Sequence, residues 1–178
     1  AGDIPAGHKA VLMYDGTYMV LMNPKGGASN NRVFHVHEGQ ASGTNGGTSV
    51  ATTWTIRTLN TSVVNTITGA SLASNQITLP AGTYRVWGRS PLYGNNAGYI
   101  RNRLRNVTDG STVALSTSEY SGVNVSHTPL FIGRFTIAAQ KTFELQYWSQ
   151  FATATTGLGA GTSTGEVEVF GEVFLTQE

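Results

Sequence analysis

TFELQYWSQF, residues 142–151, decides the fold class. Phe143, Leu145, Tyr147 and Phe151 share one parity, and Thr142, Glu144, Gln146 and Trp148 share the other. Side chains of a strand point alternately to opposite faces, so this period of two reads as a half-buried β-strand; a helix would repeat its apolar positions every three or four residues. The Phe143 face is core, and Trp148 points away from it.

The same rhythm extends in both directions. Candidate strands cover 51–58, 62–68, 75–79, 83–89, 99–107, 112–118, 130–137 and 165–175 besides 142–151. Turn formers separate them: Gly69, Pro80-Ala81-Gly82, Gly94-Asn95-Asn96, Asp109-Gly110, Gly122 and the long loop 152–165. Short strands at this spacing predict an all-β, antiparallel sandwich of the jelly-roll kind. Upstream, Lys9–Tyr14 and Tyr18–Met22 flank Asp15-Gly16-Thr17 and read as a β-hairpin, because glycine accepts a positive φ without penalty. Asn23-Pro24-Lys25-Gly26-Gly27 ends it, and Phe34-His35-Val36-His37 is a further short strand. Gly39–Ser49 (GQASGTNGGTS) reads as a flexible polar spacer, which puts the boundary between a first segment, 1–50, and a head, 51–178.

Parity also picks out unusual faces. In the last strand Val167, Val169, Gly171, Val173 and Leu175 read as inward, and Glu166, Glu168, Phe170, Glu172 and Phe174 as outward. In 83–89, Tyr84 and Val86 read as core, with Arg85, Trp87 and Arg89 outward. Aromatic residues on outer faces call for a covering surface, so Trp148, Phe170 and Phe174 are expected in a subunit interface. The outward glutamates would then lie near arginines of a neighbouring subunit, such as the period-two stripe Arg101, Arg103, Arg105.

The 178-residue chain has a net charge of +1 and only 12% charged residues, so its solubility rests on Thr, Ser, Asn and Gly. No basic field is present to hold nucleic acid or an anionic membrane. There is no cysteine, which excludes disulfides and thiolate chemistry. No apolar run approaches the roughly 20 residues of a membrane-spanning helix, and no membrane insertion is expected. The chain does not begin with Met and carries no signal pattern at its start, and it reads as a fragment of something longer or as a processed product.

Enzymatic signals are weak. His35-x-His37, followed by Glu38, places two imidazoles on one strand face; the spacing is compatible with a divalent ion, but ordinary strand histidines are the expectation. Glu119 has no partner carboxylate in sequence, and no nucleophile elbow or phosphate-binding loop is present. No catalytic residue, metal or cofactor is therefore assigned, and the chain is expected not to be an enzyme. Binding chemistry is concentrated in loops 90–99 (SPLYGNNAGY) and 119–129 (EYSGVNVSHTP), whose Tyr, Asn, Ser and Gly supply flat rigid contacts and adaptable hydrogen bonds. Tyr93, Asn95, Asn96, Tyr99, Tyr120, Asn124 and His127 are the expected ligand contacts.

Two stretches carry a family resemblance. AGDIPAGHKAVLMYDGTYMVLMNP, residues 1–24, resembles the element that ends the shaft of bacteriophage tail-fibre and collar proteins; Asp3-Ile4, Ala6-Gly7, Tyr14-Asp15-Gly16-Thr17, Leu21, Asn23 and Pro24 match it. Residues 51–178 are similar to heads found at the ends of such fibres, and their strand plan resembles trimeric jelly-roll heads of the complement and tumour-necrosis-factor kind, with Leu79, Gly82 and Tyr84 at the matching mid-domain strand. Residues 25–50 match neither. The resemblance implies an extracellular homotrimer, on a virion tail or as a bacterial adhesin, that binds a cell-surface glycan or protein receptor in host or prey recognition. A structural fibre cap or trimerisation module, with recognition elsewhere, is the alternative.

Overall fold

The strand Lys141–Ser149 follows its parity: Phe143, Leu145 and Tyr147 are buried, and Glu144, Gln146 and Trp148 lie half-buried on the other face. A computed structural model of the chain describes residues 12–14, 16–21 and 32–178. It divides into two units, Ala1–Asn31 and Arg32–Glu178. In the first, β1 (Leu12–Tyr14) and β2 (Met19–Leu21) pair antiparallel, Tyr14 opposite Met19, around Gly16 at φ +98°. This is the expected hairpin; its outer residues Lys9–Val11 and Met22, and the 23–27 breaker, lie outside the described residues.

The second unit is a two-sheet sandwich. One sheet has the order β14-β8-β16-β3-β5, from β3 (Arg32–Gln40), β5 (Thr61–Asn65), β8 (Gly82–Arg89), β14 (Leu130–Ile137) and β16 (Glu168–Gln177). The other runs β11-β10-β15-β7-β6, from β6 (Ser71–Ala73), β7 (Gln76–Leu79), β10 (Gly98–Asn106), β11 (Ser111–Leu115) and β15 (Lys141–Ser149), with β12 (Glu119–Ser121) added to β10 and β4 (Thr55–Ile56) to β15. A ribbon of β9 (Leu92–Gly94) and β13 (Val125–His127) completes it. Every pairing is antiparallel, and sequence-distant strands are neighbours, as in a jelly roll. Phe34, Tyr84, Phe131 and Val173 from the first sheet meet Ile77, Leu104, Phe143 and Leu145 from the second in one core. The described regular structure is all strand, and among the described residues no helix is long and apolar enough to cross a membrane.

Three expectations are corrected here. The boundary does not fall near residue 50. β3 is an inner strand of the head, bonded to β16 on one side and β5 on the other, with Phe34 and Val36 fully buried, so the head unit begins at Arg32. Gly39–Ser49 is accordingly not a free spacer: the amides of Gly46, Gly47 and Ser49 donate to the carbonyls of Gly159, Thr155 and Thr153 at 2.9–3.1 Å, zipping it to the 152–165 loop.

The second correction concerns β16. Val169 pairs with Gly39 and Glu172 with His37, so Phe170 and Gly171 together oppose the single residue Glu38. This is a β-bulge, and one extra residue reverses parity. Before it, Glu168 and Phe170 point inward; after it, Val173 and Leu175 do. Phe170, expected in a subunit interface, is therefore only 6% exposed within its own chain, and a side chain at Gly159 would collide with its ring. Val167 and Val169 take the outward positions at 61% and 41% exposure.

The third concerns charge pairing. Glu172 does not need a neighbour's arginine, because Arg89 Nε donates to its Oε2 at 2.9 Å and His35 Nε2 lies 2.8 Å from its Oε1. Glu168 accepts from the amides of Gly43, Thr162 and Ser163 at 2.7–3.1 Å, which latches the long loop to the 41–47 segment.

Candidate binding surfaces

The two ends of the sandwich differ. Arg32 pairs with Gln177 and Gln40 with Glu168, so the head's chain starts and finishes at one end. Loops 41–54, 90–97, 116–129 and 150–167 project from the other. That distal end has its own small core, Leu92, Ile100, Tyr147 and Phe151, with Leu158 packed on it. Asn102, fully buried on β10, ties the loops down: its Nδ2 donates to the carbonyls of Ser90 (2.8 Å) and Pro129 (2.7 Å), and its Oδ1 accepts from Ser90 Oγ (2.9 Å). The distal loops thus stand on a hydrogen-bonded platform, and loops held in this way keep a fixed geometry.

Of the expected ligand contacts, Tyr99 and Tyr120 come together as opposed residues of β10 and β12. Their rings are 5.2 Å apart at 78°, and they are 55% and 57% exposed. Tyr93 and Asn124 meet separately, the Tyr93 hydroxyl donating to Asn124 Oδ1 at 3.4 Å; Asn124 sits at φ +57° in the β12–β13 turn. Asn95 is held by Thr153, whose hydroxyl donates to its Oδ1 at 3.0 Å, and Asn96 Nδ2 contacts Asn95 at 3.3 Å. His127 Nδ1 lies 3.5 Å from the Glu119 carboxylate. A polar cleft of about 220 Å³ lies nearby between Arg89, Ser126, Thr128, Thr162 and Glu168, above Phe170.

The outer face of the five-stranded sheet has a different character. Trp87 and Phe174 stack there, centroids 6.0 Å apart and 16° between planes, and Ile132 is 74% exposed beside them. With Leu130 they line an open groove of about 550 Å³ rimmed by Arg85 and Arg89. Phe174 is outward as expected. Trp148 is outward too, but on the opposite sheet, so the two do not share a face.

His35 and His37 both lie on the groove's sheet, rings 6.0 Å apart at 87°. Burial and then the nearby His35 hold the His37 imidazole below its ordinary value, against a weaker pull from Glu172. Among the described residues no group of three metal-binding side chains is assembled.

Sequence parity missed one buried feature. Arg57 and Glu38 are 0% and 1% exposed, and Arg57 Nη2 donates to Glu38 Oε2 at 2.7 Å and to the Leu158 carbonyl at 3.0 Å. Arg57 Nε and Nη1 have no hydrogen-bond partner among the described residues. Burial pushes Glu38 up and Arg57 down, and each opposes the shift of the other.

No protein-family model matches the sequence. No curated protein matches it either. Solved structures do. Murine APRIL superposes with a TM-score of 0.53 at 10% identity, over 83% of this chain and 99% of that one, in its pH 5.0 crystal. The pH 8.5 crystal gives 0.51 at 9% identity, over the same shares of the two chains. The globular domain of zebrafish complement 1qA aligns over 82% of this chain and 94% of that one at 11% identity, with a TM-score of 0.49. The head is therefore a jelly roll of the tumour-necrosis-factor type in fold.

Proposed function

We propose that this chain is the non-enzymatic recognition head of an extracellular adhesive fibre of the tail-fibre type, working as a homotrimer that binds a cell-surface glycan. The observation that carries the reading is the division of labour across the head. One sheet face carries an exposed apolar groove, while a rigidly anchored set of Tyr- and Asn-rich loops stands at the end opposite the chain's entry. An exposed apolar face of this kind marks a protein contact. Three copies closing on the Trp87–Phe174–Ile132 face would cover it and leave the distal loops free. Three binding sites on one tip raise avidity without new contacts, which suits weak glycan recognition. The likeness to jelly-roll heads supports the fold on which this assembly rests, and the hairpin around Gly16 fits a shaft-end element.

Light scattering of the purified chain, followed by binding to intact bacterial cells and to a glycan array, tests the proposal. A trimer that binds cells and defined sugars is expected. A monomer at high micromolar concentration would sink the assembly, and a trimer that binds neither cells nor sugars would leave the structural cap as the better reading.

A further inference from the structure

The groove and the loops leave one surface unexplained: the outer face of the seven-stranded sheet, from Tyr99 at its distal rim along β10 to Arg105. On β10 the burial pattern places Tyr99, Arg101, Arg103 and Arg105 outward and Ile100, Asn102, Leu104 and Asn106 inward. Trp148 of β15 is the register partner of Arg101 and faces the same way. Arg103 lies over the Trp54 ring with its Cζ 4.0 Å from the centroid, and its Nε donates to Gln146 at 2.8 Å. The Arg101 guanidinium is held by the Ser116 carbonyl at 2.8 Å. Arg105 makes no hydrogen bond or ion pair to a described residue. Opposed to these three cations is Glu144, whose two carboxylate oxygens already accept from the Gln76 and Gln146 amides at 2.8 and 2.6 Å.

Resting on the recognition-head reading, we infer that this face is an acidic-saccharide site: the exposed Tyr99–Tyr120 pair stacks a sugar ring, and the Arg101–Arg103–Arg105 row takes carboxylate or phosphate groups of the same chain. The chemistry follows from the parts. The C–H faces of pyranose rings pack on aromatic planes, and the crossed arrangement of two half-exposed tyrosines offers a face and an edge to one ring. Guanidinium groups fixed by carbonyl and aromatic contacts are pre-organised for anions and lose little freedom on binding. The arginines succeed one another along one strand face at two-residue steps of roughly 7 Å, so they offer an extended row of positive charge rather than a single compact anion site. A neutral glycan would bring no counter-charge to this row, and a nucleic acid would need a much larger basic field than a chain of net charge +1 provides.

The test uses the purified full chain and a panel of uronic-acid, sialylated and phosphorylated oligosaccharides, with oligogalacturonate and its methyl ester as the matched pair. Binding to an acidic member is expected, weakened about tenfold or more by esterification and by added salt. Tyr99→Ala and Tyr120→Ala should each weaken it about tenfold with unchanged melting temperature and mass. Arg105→Gln, which breaks no described contact, should weaken binding and flatten its salt dependence, so the inference does not hang on the tyrosine variants folding. Equal binding of acid and ester, full binding by the tyrosine variants, or binding to no acidic glycan would overturn it. Cell binding separates the two levels: if wild type and both tyrosine variants bind cells equally, the head recognises its target elsewhere, and if wild type does not bind cells, the recognition reading itself fails.

Discussion

Ile132 is the sharpest probe of assembly. It is 74% exposed in the single chain, beside the stacked Trp87 and Phe174, and nothing within the head covers it. Fully burying an isoleucine side chain contributes about 1.5–3 kcal/mol, so covering the exposed three quarters contributes about 2 kcal/mol per copy. Three symmetric copies make this about 6 kcal/mol per trimer, or roughly four orders of magnitude in the association constant. Because the trimer constant depends on the cube of monomer concentration, the half-dissociation concentration moves as the square root, about a hundredfold. Ile132→Asp should shift it by at least that much, since a carboxylate buried against Trp87 adds a desolvation cost. Sedimentation velocity over a dilution series measures the shift. Leu115→Asp, at a 43% exposed position on the other sheet, is the control and should leave the mass unchanged. An Ile132→Asp protein that dissociates at the wild-type concentration would refute the assignment of this face.

Three further outcomes are expected. Removing one member of the buried Arg57–Glu38 pair leaves an uncompensated charge, so Arg57→Met and Glu38→Gln should each cost about 3–5 kcal/mol in urea unfolding; the double variant Arg57→Met/Glu38→Leu should recover much of it, and additive losses would show that the pairing is not what matters. Asn102→Leu orphans the Ser90 and Pro129 carbonyls and should cost about 1–3 kcal/mol while speeding hydrogen exchange in the loops beside them; unchanged exchange would show that the loops are held otherwise. His37 is depressed in the folded state, so its contribution is fully present above its ordinary 6.5 and is lost as pH falls through the folded value; melting temperature should drop between pH 7 and pH 5, more weakly in His37→Gln, and an identical pH profile in the variant would contradict this.

Alternation alone located β8, β10, β14 and β15, because in these strands one face meets the core and the other does not. It failed wherever a single residue broke the count. The bulge at Phe170-Gly171 reverses parity, and its only trace in sequence is a glycine amid β-formers, which equally marks a plain strand glycine. The 75–79 strand turned out to be a hairpin, β6–β7, because Ser74 and Asn75 both adopt left-handed φ, +51° and +64°, and only the asparagine hinted at it. The 51–58 strand shrinks to Thr55–Ile56, since Arg57 turns inward to Glu38, a contact 19 residues away that no local pattern announces. The ribbon β9–β13 formed inside segments read as loops, because strands of three residues are too short to show a period.

The binding candidates were legible as residue types and not as an arrangement. Tyr, Asn and Ser in two loops mark recognition chemistry wherever they fall, but which of them meet depends on register. β12 pairs with β10 so that Tyr120 lies opposite Tyr99, while the Gly122–Asn124 turn carries Asn124 back to Tyr93. The same register argument reassigns Trp148. In sequence it stood with Phe170 and Phe174 as an outward aromatic, and parity could not tell one sheet's outer face from the other's. Pairing with β10 puts it beside Arg101, among cations and tyrosines, while β16 carries Phe174 to the apolar groove. One aromatic thus joins a polar, charged surface and the other an apolar one, and this difference in surroundings is why the two faces carry separate proposals, a saccharide for the first and another copy of the chain for the second.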